Sequence, residues 1–186
     1  STAATDANGD EGPATSATLM DPQGVCGNNL GGLFIVDSKA DKIRGIDLTG
    51  TFTGGLIMIY TLAGTGQSGS DDGPSTSATF NDPKQCSFGF SGTLGKLYIA
   101  DADNHKIRVV TLDVVAETAI VSTFAGDGAS SPSGENVQAT TASVNKPKGV
   151  FVDSTGVVYL AESEGHRIRR VATDGIISTY AGLGTP

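Results

Sequence analysis

Asp6, Asn8 and Asp10 set three side-chain oxygens at alternate positions near the start of the 186-residue chain. Hard oxygen donors so spaced on a turn suit a cation such as calcium. The match to a calcium loop is partial. Its glycine, Gly12, falls one residue late, and the place of the bidentate Glu is held by Ala17. Calcium at Asp6, Asn8 and Asp10 is the single metal reading the residues offer, and no other cofactor is expected. The two histidines, His105 and His166, are able in principle to bind metal or move protons. Both precede a cation and an Ile-Arg pair, in Asn104-His105-Lys106-Ile107-Arg108 and Gly165-His166-Arg167-Ile168-Arg169. Equivalent placement in two repeats points to a packing role at a turn.

Other chemistry-like motifs dissolve on the same test. Ala-Gly-x-Gly stretches begin at Ala63, Ala125 and Ala181. A phosphate-cradling loop occurs once and opens a helix; a stretch repeated after three apolar runs is a strand exit. Gly89-Phe90-Ser91-Gly92-Thr93 lacks the closing glycine of a nucleophile elbow and is expected to be the turn between two strands. Ser70-Asp71-Asp72-Gly73 has the look of a plain acidic turn. No set of nucleophile, base and oxyanion donor emerges, so a non-catalytic role is expected.

The elements that carry these residues repeat three times. A proline opens each unit at Pro22, Pro83 and Pro147, an acid closes the second apolar run at Asp37, Asp101 and Glu162, and Ile-Arg pairs follow at Ile43-Arg44, Ile107-Arg108 and Ile168-Arg169. The approximate units are 1–64, 65–126 and 127–186. Each holds four short runs rich in β-branched and aromatic residues between Gly, Ser, Thr and Asp turns, which is strand composition. Leu97-Tyr98-Ile99-Ala100 is a second run and Ile176-Ile177-Ser178-Thr179-Tyr180 a fourth. Four strands per repeat is the pattern of a propeller blade. Alternation sets the cations of the third run, Lys106 with Arg108 for example, on one face and Ile107 on the other. Arg44, Arg108 and Arg169 are expected to pair with Asp37, Asp101 and Glu162, acid and base recurring together in every unit.

Leu97-Tyr98-Ile99-Ala100-Asp101 followed by Asn104-His105-Lys106-Ile107-Arg108, and Pro147-Lys148-Gly149-Val150 followed by Tyr159-Leu160-Ala161-Glu162, resemble the NHL-repeat family. The first unit departs most, with Ala40-Asp41-Lys42 in place of Asn-His-x. The resemblance implies an all-β β-propeller of NHL-type four-stranded blades, three of them in this chain. Three blades do not close a ring, so further blades are expected, from a second copy in a six-bladed ring or from a longer chain. It implies a protein-interaction or structural module. The alternatives are a metal-dependent enzyme at the channel, of the lactonase or amidating-lyase kind, and RNA binding.

A net charge of −8 opposes nucleic-acid binding, whose affinity comes from cations on phosphate. No apolar run reaches the roughly 20 residues that span a bilayer. The expected partner is protein, and the expected setting is extracellular or cell-surface. The long linkers near 64–82 and 126–146 are expected to serve as contact surfaces. Cys26 and Cys86 have opposite strand parity at similar heights in adjacent units; a disulfide is open to them, buried free thiols being the favoured reading.

Overall fold

The computed structural model describes residues 9–48, 56–131 and 133–186. Its elements follow the repeat. The first unit contains β1 (Gly12–Pro13), β2 (Pro22–Gly27), β3 (Gly32–Asp37), β4 (Lys42–Asp47) and β5 (Met58–Ala63). The second contains β6 (Gly73–Pro74), β7 (Pro83–Ser91), β8 (Leu94–Asp101), β9 (Lys106–Asp113) and β10 (Thr118–Ala125). The third contains β11 (Val137–Gln138), β12 (Pro147–Val152), β13 (Val158–Glu162), β14 (Arg167–Val171) and β15 (Ile176–Ala181). Each unit is one antiparallel sheet, ordered β1-β5-β4-β3-β2 and likewise in the other two.

Each blade thus has the four strands expected from its apolar runs and a fifth of two residues. The fifth comes from the linker and pairs on the outer edge, Gly12 opposite Ile59 and Gly73 opposite Val121. Two residues carry no apolar alternation, so this strand left no periodic signal. Gly89, Phe90 and Ser91, expected in a turn, end strand β7, and the turn itself shrinks to Gly92-Thr93.

The core lies between blades. Phe34, Val36 and Ile43 of the first blade meet Leu97, Ile99 and Val110 of the second. Tyr98, Ile107 and Val109 on the second blade's other face meet Val150, Leu160 and Val171 of the third. Ile107 and Arg108, neighbours on opposite faces of the middle blade, are both fully buried. The linkers contribute too. Ala78, Phe80, Ala142 and Val144 are fully buried, so the segments near 64–82 and 126–146 are in part core rather than free contact loops.

Cys26 and Cys86 form a disulfide between β2 and β7, with Cα atoms 5.8 Å apart. This corrects the expectation of free thiols. Opposite parity in adjacent blades is what aims the two side chains at each other, since the back of one blade packs on the front of the next. Between blades two and three hydrogen bonds replace the bridge: Val150 N–H donates to Gln85 Oε1 at 3.0 Å and Val152 N–H to Ser87 Oγ at 3.1 Å. The bridge closes a loop with a sequence separation of 60 residues. On chain-entropy grounds the double variant Cys26→Ser/Cys86→Ser is expected to lose about 4 kcal/mol of stability, with the wild type falling by the same amount in reductant. Urea unfolding with and without dithiothreitol measures both.

Candidate functional site

The polar feature that recurs in every blade is a fully buried arginine in the third strand, at Arg44, Arg108 and Arg169. Arginine stays charged in any protein interior, so its surroundings must supply acceptors. In the second blade Nη1 donates to Asp101 Oδ2 at 3.0 Å and to the Thr79 carbonyl at 2.9 Å. Nη2 donates to the Asp71 carbonyl at 2.8 Å and to Asp72 Oδ1 at 2.6 Å. The guanidinium also lies over the Phe80 ring, 5.3 Å from its centroid. Asp101 is itself held by the Asn81 N–H and by the Asn104 amide, both at 2.8 Å.

The other blades repeat the plan with changed parts. Arg169 Nη1 donates to Glu162 Oε1 at 3.2 Å, and Nη2 lies 3.4 Å from Glu135 Oε1. Arg44 donates to Asp10 Oδ1 through Nε at 3.1 Å and through Nη2. Asp37, fully buried, accepts the Met20 and Asp21 N–H groups. In each blade the linker acid also binds a threonine of the fourth strand: Asp10 with Thr61, Asp72 with Thr123 and Glu135 with Thr179. Those threonines stand directly opposite Arg44, Arg108 and Arg169 in the register. Each arginine therefore ties strand to linker.

The expected pairings Asp101–Arg108 and Glu162–Arg169 are present. For Arg44 the linker acid Asp10 takes the place expected of Asp37, which alters the calcium reading. Asp6 and Asn8 lie outside the described residues, and the Asp10 carboxylate is engaged by Arg44 and Thr61. It is the first blade's counterpart of Asp72 and Glu135. The role of these linker acids as arginine partners escaped the sequence reading, although each stands one or two residues before its short edge strand. Among the described residues no group of three or more His, Cys, Asp or Glu side chains is disposed to hold a metal ion.

His105 and His166 occupy left-handed backbone at φ 54° and 50°, with Asp41 at φ 49° in the same place of blade one. His105 Nδ1 accepts the Lys146 N–H of the next blade at 3.2 Å, as Asp41 Oδ1 accepts the Asp82 N–H at 2.9 Å. The strand-exit glycines answer to the same turns. Gly64, Gly126 and Gly182 have positive φ, and a Cβ on any of them would collide with the carbonyl of Asp41, His105 or His166. Repetition of Ala-Gly-x-Gly is thus a packing requirement.

Ionisation follows burial. Desolvation pushes the Asp101 carboxyl up from 3.8 to about 6, against hydrogen bonds from Asn104 and Asn81 and the charge of Arg108. The more exposed Glu135 goes the other way. Its desolvation is outweighed by hydrogen bonds from Thr179 and the charge of Arg169, which hold its carboxyl below the usual range. For Asp101 the folded value lies above the unfolded one, so its contribution to stability is full below about pH 4 and is lost as pH rises through about 6. Asp101→Asn removes that titration. Denaturant unfolding from pH 4 to pH 7 should show the wild type losing stability relative to D101N; a constant difference would refute the assignment.

Residues 128–185 match the family model described as the Teneurin NHL domain. NHL repeat-containing protein 2 of Bos taurus is 38% identical over 118 residues, covering 61% of this chain and 14% of that protein. Teneurin-3 of Mus musculus is 31% identical over 188 aligned positions, covering 94% of this chain and 6% of that protein. The chain therefore spans a small part of either relative. The crystal structure of an auxiliary nutrient binding protein from Bacteroides thetaiotaomicron superposes with a TM-score of 0.65 at 23% identity, over 84% of this chain and 37% of that one, which shows a shared fold. Repeated motifs, blade architecture and these matches agree, and the chain belongs to the NHL-repeat β-propeller family.

Proposed function

We propose that this propeller segment is a non-catalytic protein-interaction or structural module that associates through the faces of its outer blades. The observation that carries the reading is positional. Inside the array, Ser87, Tyr98 and Phe124 face the third blade from the second. Register places Phe151, Tyr159 and Tyr180 at the same positions of blade three. There the Tyr159 ring packs against both neighbours, tilted to Phe151 and edge-on to Tyr180, at centroid distances of 6.5 Å and 5.2 Å, while Phe151 and Tyr180 stand 59% and 64% exposed. On blade one, Val25 holds the place of Cys86 and Val150 and is 62% exposed. Contiguous exposed apolar surface marks an interaction site, and here its residues sit where blade packs on blade. The partner is a second copy of this chain or further blades of the same kind.

The disulfide supports an extracellular or cell-surface setting, because such bonds persist in oxidising compartments. The charge of −8 weighs against nucleic acid. Among the described residues no helix is long and apolar enough to cross a membrane.

Light scattering on the 186-residue chain at micromolar concentration tests the self-association arm. A second copy predicts a mass near twice 18.8 kDa, reduced toward the single mass by Phe151→Asp with Tyr180→Asp. A constant mass of 18.8 kDa would rule out the second copy and leave further blades of a longer chain as the cover proposed for the outer faces.

A further inference from the structure

The two seams between blades differ at one end. Where the second blade turns Val109 toward its neighbour, register places Gly45 on the first. Val109 is buried against the third blade. Gly45 instead gives the Tyr60 ring, directly opposite on β5, room to lie flat across β4; a Cβ there would collide with it. Gly32 likewise stands where the second blade has Lys96, and Asp47 where it has Thr111. Gly45 and Gly32 of the first blade thus carry no side chain where the second blade has Val109 and Lys96.

The result is a cleft of about 850 Å³ between blades one and two. Phe34 and Leu62 wall it on one side, Leu112 and Ala119 on the other. Its surface is mainly apolar, and its charged side chains are Asp47, Asp113 and Glu117, with no lysine, arginine or histidine among the lining residues. Asp113 is fixed at the rim, its Oδ1 accepting the Val115 and Ala116 N–H groups at 3.0 Å. Burial first, and the charge of Asp47 second, push the Tyr60 phenol above its ordinary value. Size and lining are those of small-molecule sites, which pair an apolar body with a few polar groups that fix orientation.

We propose that this cleft is a binding site for a hydrophobic ammonium compound, its aromatic or branched aliphatic body between the blades and its protonated amine at the carboxylates. The charge argument is one-sided: three acids and no cation inside the lining favour a cation and repel an acid of the same shape. This site is separate from the outer blade faces, and its failure would leave the assembly reading untouched.

The test uses the whole chain and three probes of one shape: 1-naphthylmethylammonium, neutral 1-naphthalenemethanol and anionic 1-naphthoate. Calorimetry should show the ammonium binding about ten-fold or more tighter than the alcohol, a gap of about 1.4 kcal/mol, and naphthoate not at all. Methyl NMR shifts should centre on Leu62, Leu112 and Ala119. The double variant Asp113→Asn/Glu117→Gln should weaken the ammonium several-fold, leaving the alcohol and the melting temperature unchanged. Ala119→Leu should exclude all three probes. The proposal is overturned if no probe binds at roughly millimolar concentration, if ammonium and alcohol bind alike, or if the shifts fall outside the cleft.

Discussion

A guanidinium that cannot shed its charge, placed in the third strand of every blade with no access to water, dictates much of the remaining architecture. Burying such an ion costs several kcal/mol unless acceptors surround it. Arg108 collects two carboxylates and two carbonyls. Those acceptors come from the end of β8 and from the linker before β7, so satisfying one side chain fixes the path of more than thirty residues around it. The edge strand β6, the buried Phe80 and the threonine contact of Asp72 follow from the same wrapping.

Blades built this way contact mainly their neighbours, so stability is a sum of blade and seam contributions. The two seams are not copies. One is covalent at the inner strands and open at the Gly45 end; the other is tied by hydrogen bonds at Gln85 and Ser87 and filled by Val109. The repeat motifs hold each blade together and leave the seams free to diverge. Any specificity of this chain therefore resides in seams and outer faces rather than in the residues that recur.

That division explains what could be read from residues alone. Strands β3, β8 and β13 and the pairs Asp101–Arg108 and Glu162–Arg169 were legible, because they recur in phase and their β-branched runs are bounded by turns. The edge strands were not, since two residues define no period. Asp10 looked like a calcium ligand because its neighbours Asp6 and Asn8 carry oxygens too. Only three-dimensional register equates it with Asp72 and Glu135, which sit one or two residues before their edge strands. The cysteines were legible in height but not in consequence: opposite parity means facing once blades are stacked front to back. The cleft depends on Gly45 and Tyr60 meeting across two strands, a pairing that no single residue announces.

The most direct test of this account is a double-mutant cycle on Arg108 and Asp101, both fully buried. Stability would be measured by denaturant unfolding for the wild type, Arg108→Met, Asp101→Ala and the pair. If the guanidinium organises the blade, Arg108→Met strands the buried Asp101 carboxylate, Asp101→Ala takes one of two carboxylates from Arg108, and the double variant is less destabilised than their sum, by about 2–3 kcal/mol. Costs that add to within about 0.5 kcal/mol would contradict the account.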